Sequence, residues 1–161
     1  MRRIAITIAV TLAAIAGPSR AQQPAVEAVV KLADSGFAQF QCSILAGFGK
    51  QPNVEAHFNA GMSDMRQFLT QWRSSDDLEY RKKVRNDVPM IITMELGGPT
   101  IDFEIGRVYS AILWYVDDEL RDRDTWLHQK KDPKAPPVEP EIVQERAEQK
   151  YRDRNCALLA R

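Results

Sequence analysis

The chain has 161 residues, with 22 Lys and Arg balanced by 22 Asp and Glu, two Cys, two His, nine Pro and eight Gly. That length makes one domain, and 44% hydrophobic with 27% charged residues is a globular rather than a disordered composition. Zero net charge removes the basic footprint on which nucleic-acid affinity rests, and two cysteines are too few for a four-thiolate zinc site or a disulfide-dense miniprotein.

Arg2 and Arg3 open the chain with positive charge, and Ile4 to Ala16 is an unbroken run of apolar or small residues. Gly17-Pro18 ends that run before Ser19-Arg20-Ala21. This is the three-part pattern of a secretory signal, cleaved after Ala21. The alternative is a membrane anchor, but a helix of that length reaches only about 20 Å against a hydrocarbon core of ~30 Å. Losing Arg2, Arg3 and Arg20 leaves 19 bases against 22 acids, so the mature chain is mildly acidic. Nothing after residue 21 approaches a membrane-spanning length of apolar sequence, so the expected destination is a bacterial periplasm or the exterior. In an oxidising compartment an even pair of thiols reads as a disulfide, and Cys42 and Cys156 are expected to join the first long segment to the last. Two free buried thiols are the alternative.

Apolar spacing of three and four runs through almost the whole mature chain and predicts an all-α fold, an irregular bundle of five to six helices. Val29, Ala33, Phe37, Phe40, Ile44 and Phe48 stripe a first helix that ends near Gly47-Phe48-Gly49. Asn53 can cap a second, striped by Val54, Phe58, Met62, Met65, Phe68, Leu69 and Trp72. Asp76 and Glu79 have capping-box spacing for a short charged third helix, which Asn86-Asp87-Val88-Pro89 ends. Residues 90–96 have strand-like β-branched content but no strand partner elsewhere, and are read as a short buried helix. After the turn Gly97-Gly98-Pro99, Thr100 caps the longest helix, predicted over 101–128 with Ile101, Ile105, Val108, Ile112 and Val116 on its core face. Body residues 22–129 lead into a proline-rich connector over 130–140 and a final helix over 141–161. That last helix has a thin stripe of Val143, Ala147, Tyr151 and Leu158, so a covalent tie at Cys156 is expected to hold it against the body.

The stretch 97–107 is the most unusual. Gly106 sits inside a helix, where it costs about 1 kcal/mol relative to Ala, and so suggests the close approach of another backbone or a ligand. At 100° per residue Phe103, Arg107 and Trp114 share the side opposite the core stripe. Arg107 can stack between the two rings or present its guanidinium to a carboxylate, with Glu104 orienting it. The alternative is a helix buried on two faces, with Arg107 in an internal ion pair.

Other chemistry finds little support. His57, Met62 and Met65, and separately Met90 and Met94, carry soft donors suited to Cu(I), but His57, Met62 and Met65 form no tight set, and no metal site is predicted. There is no Cys-x-x-Cys-His, which leaves non-covalent ligation by His57 or His128 as the one haem alternative, and no cofactor is predicted. No Gly-x-Ser-x-Gly or His-Glu-x-x-His occurs. The acid-rich run 117–124 reads as a solvated face. Asp102 and Glu104, the remaining acid–base pair, point about 200° apart on a helix. The sequence is read as an exported non-enzymatic module that binds another protein, not nucleic acid and not as a membrane span. Phe103, Glu104, Arg107 and Trp114 are the candidate surface. The alternatives are a small-ligand site with Arg107 as anion anchor, or an unrecognised enzyme.

Overall fold

The computed structural model describes residues 23–160; the expected leader, 1–21, lies outside them. Seven helices follow one another: α1 (Val26–Phe48), α2 (Val54–Ser74), α3 (Leu78–Asp87), α4 (Met90–Glu95), α5 (Ile101–Leu120), α6 (Pro140–Asp153) and α7 (Cys156–Leu159). Among the described residues there is no strand beyond one isolated antiparallel bridge between Arg123 and Lys130, and no helix is long and apolar enough to cross a membrane. The all-α expectation holds, and the stretch read as a short buried helix over 90–96 is a helix over Met90–Glu95, but it is not buried: only Ile92 is, while Met90 and Met94 are exposed.

The centre is α1, which touches α2, α3, α5, α6 and α7. Its stripe buries Val29, Ala33, Phe40, Ile44 and Leu45 against Met65, Phe68 and Leu69 of α2. The two helices pack closely at Gly61, where a Cβ would lie 2.5 Å from the Phe40 ring. The close approach that the sequence suggests for Gly106 is absent: a Cβ there meets nothing within 4 Å. The third helix starts one residue later than the spacing of Asp76 and Glu79 implies, because Asp77 is the side chain that accepts from the Glu79 and Tyr80 N–H groups. Asn53 holds the N-cap position of α2 but makes no side-chain cap bond.

The Gly97-Gly98 turn folds α4 back along α5. Gly97 has φ +100°, which favours glycine, and the buried Glu104 carboxylate accepts both Gly97 N–H (2.6 Å) and Gly98 N–H (2.7 Å) through Oε1. Arg73 lies 3.6 Å from the other oxygen. Thr100 caps α5 as predicted, its hydroxyl accepting from Phe103 N–H at 3.2 Å.

Two helix ends depart from the sequence reading. The predicted helix over 101–128 stops at Leu120, because Asp122 takes left-handed backbone (φ +54°); His128, left-handed too (φ +53°), lies in the loop that follows. The final helix breaks at Asn155, also left-handed at φ +53°, which separates α6 from α7 and swings Leu158 into solvent. Asp and Asn are among the few residues that tolerate this conformation.

The Cys42–Cys156 disulfide is formed, closing a 114-residue separation with both cysteines buried. It does not hold the C-terminal segment alone. Tyr151 hydroxyl meets His57 Nε2 (3.1 Å), Gln39 Nε2 donates to Leu159 O (3.0 Å), and Arg154 donates to Gln41 Oε1. Arg146 donates to Leu120 O at 2.8 Å, and Lys150 pairs with Glu119 at 3.1 Å. A thin apolar stripe is thus supplemented by polar bonds that its periodicity does not display.

Candidate functional site

The face of α5 opposite the core carries Arg107, Ser110, Ala111, Trp114 and Tyr115, spaced i, i+3, i+4, i+7, i+8 along one stripe. With α4 beside it, this stripe lines a half-open groove of about 590 Å³. Met90 and Met94 form the α4 wall, and Thr125, Trp126 and His128 close the groove from the loop after α5. Met90 is 59% exposed, Met94 55%, Trp114 53% and Trp126 63%, although α4 and α5 bury Ile92 and Ile112 on their other faces.

The loop is held by its own polar bonds. Asp124 Oδ1 accepts the N–H groups of Leu127 (2.8 Å) and Trp126 (2.9 Å), and these bonds hold its carboxyl below the usual carboxylate range. His128 N–H returns to Asp124 O at 2.8 Å. Asp118, fully buried on α5, binds His128 through Oδ2 and ring Nδ1. Its Oδ1 has no hydrogen-bond partner among the described residues and lies 3.8 Å from Arg123 Nη1. A carboxylate only accepts, so the neutral His128 ring carries its proton on Nδ1 and leaves a lone pair on Nε2. Among the described residues that nitrogen has no hydrogen-bond partner, and the ring lies 5.8 Å from Trp114 between centroids.

The four candidate residues do not form one surface. Arg107 and Trp114 both line the groove. Phe103 lies one turn outside it, half exposed, with the Arg107 guanidinium 5.9 Å from its ring, so half of the expected sandwich exists. Arg107 pairs with Glu95 through Nε and Nη2, both at 2.7 Å, and is not oriented by Glu104. Glu104 is buried in the Gly97-Gly98 turn and faces away from the groove. Asp102 is exposed and binds Arg66 at 2.6 Å, so the two acids serve different neighbours, as their angular separation implies.

His57 is the opposite of His128. It is fully buried, with Nδ1 2.7 Å from Gln39 Oε1 and Nε2 on the Tyr151 hydroxyl, and burial lowers its pKa. Both ring nitrogens are spoken for, so neither can take a ligand. Among the described residues no three His, Cys, Asp or Glu side chains gather as a metal site.

No protein-family model, curated protein or solved structure matches this chain. The site is therefore read from its own side chains. Sequence reasoning missed Met90, Met94, Asp118, Trp126 and His128 as neighbours of Arg107 and Trp114. Extending the long helix to 128 placed His128 on a helical face it does not occupy. The acid run at 117–124 did contain a buried member, Asp118, which helical phase alone puts two residues beyond Val116 and so off the core stripe.

Proposed function

We propose that this protein is an exported, non-enzymatic binding protein and that the groove between α4 and α5 is its binding site. One observation carries the reading: Met90, Met94, Trp114 and Trp126 are each more than half exposed around a single concavity. Leaving four large apolar groups in water is costly unless something covers them, and gathered patches of this kind are characteristic of binding sites. The volume lies within the roughly 300–1,000 Å³ range of small-ligand sites. Unbranched thioethers and aromatic rings suit a compact, polarizable or apolar ligand. Export is supported by the buried disulfide. Asp102 and Glu104, the acid pair weighed for an enzyme, bind different neighbours, Arg66 and the Gly97-Gly98 turn.

A second reading, a partner protein on this face, draws on Phe103 and Leu127, which extend exposed apolar surface beyond the groove. The test is titration of the oxidised mature protein with 1-anilinonaphthalene-8-sulfonate, an apolar probe with one anionic group. Saturable one-to-one fluorescence enhancement is expected, weakened about tenfold or more in Ala111→Trp, whose indole would fill the groove floor. Equal binding by A111W would overturn the groove as the site. Weakening by Phe103→Ala of any captured natural ligand would move the reading toward a partner protein, since Phe103 lies outside the groove.

A further inference from the structure

We infer that the groove holds a soft monovalent cation, Cu(I), between the thioethers of Met90 and Met94 and the Nε2 of His128. The inference rests on the groove being the binding site and names the ligand class. Methionine at positions 90 and 94 places two sulfurs on one face of a six-residue helix, i and i+4, and both side chains line the groove. The Glu95–Arg107 ion pair and the Gly97-Gly98 turn bring α4 beside α5, and Met90, Met94, Trp114 and His128 all line the groove between them. Long unbranched side chains let both sulfurs swing toward the imidazole.

His128 has the preparation expected of a metal ligand. Its Nδ1 is bound by a fully buried carboxylate, which fixes the tautomer and the orientation of the ring. The left-handed backbone at His128 and the two N–H bonds to Asp124 hold the loop that presents it. Trp114, beside the imidazole, offers a π face to a cation in the groove.

The donor set chooses the ion. Thioether sulfur is a soft ligand that selects Cu(I), whereas Mg, Ca and Mn want oxygen and structural zinc wants thiolates and several imidazoles. Among the described residues Glu95 alone brings a carboxylate to the groove lining, and its Oε2 holds both Nε and Nη2 of Arg107, so at most one carboxylate oxygen is left for a hard ion that wants several.

The experiment supplies Cu(I) anaerobically to the oxidised mature chain, with bicinchoninate as competing chelator. One Cu(I) per chain is expected. Met90→Leu with Met94→Leu, which keeps apolar bulk, should weaken it at least 100-fold, and so should His128→Asn, whose side chain tolerates the left-handed backbone. Asp118→Asn should weaken it about tenfold or more, and Met62→Leu should not change it. In methyl-labelled methionine spectra with Ag(I) as surrogate, Met90 and Met94 should shift and Met65 should not. Wild-type affinity in the variant combining M90L, M94L and H128N, an absence of stoichiometric binding, or equal competition by Zn(II) would each overturn the inference. If the naphthalene sulfonate still binds the wild type in that event, the groove reading stands without the metal; if neither binds, both fall.

Discussion

The two histidines of this chain mark two differently built regions. Around His57 every polar atom has an answer: Gln39, Tyr151, Asn53 and the Leu159 carbonyl form a buried network beside the Cys42–Cys156 bridge. Around His128 one ring nitrogen is anchored on a buried carboxylate, the other has no hydrogen-bond partner among the described residues, and the residue lines a groove of half-exposed Met and Trp. A side chain held on one side and left open on the other is arranged for an encounter. One held on both sides is arranged for stability. The same residue type thus reports which end of the molecule is scaffold and which end is available to a ligand.

Opening the bridge should produce the largest effect on the scaffold end. For a closure of this length the loop-entropy contribution is about 4–5 kcal/mol. At roughly 2–4 °C per kcal/mol for a chain of this size, Cys42→Ala with Cys156→Ala should lower Tm by about 10–15 °C in a thermal melt. The polar bonds from Tyr151, Arg154 and Arg146 should nevertheless keep α6 docked at 20 °C, with far-UV ellipticity unchanged and groove binding of the naphthalene sulfonate intact. If the double variant lost groove binding while still fully helical, the two regions would not be separable.

The scaffold was largely legible in the sequence because burial there follows helical period. Phe40, Ile44, Phe68 and Trp72 fall on stripes, and an even pair of cysteines behind an export pattern reads as a bond. The groove was half legible. Arg107 and Trp114 could be found by helical phase, since both lie on one helix opposite its core stripe. Met90 and Met94 could not, because their place depends on the Glu104 carboxylate folding the Gly97-Gly98 turn back along α5. Nor could His128, whose position depends on a left-handed residue at Asp122 and on Asp118 being buried inside a charge run that reads as solvated. Long-range side-chain bonds of this kind leave no periodic trace.

A second, smaller break on the scaffold side comes from Gly61→Ala. The added methyl would sit 2.5 Å from Cδ1 and 2.7 Å from Cε1 of the buried Phe40 ring, which is itself wedged against Phe58 and Tyr109. Overpacking of a filled core costs about 1–3 kcal/mol. Chemical denaturation should report a loss in that range, and an unchanged midpoint would mean that α1 and α2 can move apart freely.

Acid should act on the buried histidine of the scaffold without any change of packing. Burial depresses the folded-state pKa of His57 below its ordinary 6.5, so its contribution to stability is complete above about pH 6.5 and drains away as the pH falls toward the depressed value. Asp34, whose carboxyl burial pushes up, acts in the opposite sense at lower pH. The useful quantity is therefore the difference between wild type and His57→Gln, measured as Tm from pH 7 to pH 5. Wild type should lose more stability than H57Q across that interval. Identical slopes would show that the buried ring does not resist protonation.

The smallest expected effect has the opposite sign and lies on the open side. Gly106 has helical neighbours on both sides within α5 and nothing within 4 Å of a Cβ built on it. Glycine in a helix interior costs about 1 kcal/mol relative to alanine, chiefly through backbone entropy. With no clash to offset the gain, Gly106→Ala should raise stability by about 0.5–1 kcal/mol in denaturant unfolding. It precedes Arg107, so a partner backbone seated on this part of α5 would feel the methyl, whereas an ion between Met90, Met94 and His128 would not. G106A should therefore leave Cu(I) affinity unchanged while stabilising the fold, and a variant that is more stable yet fails to bind a captured protein would identify Gly106 as the place where that protein's backbone comes close.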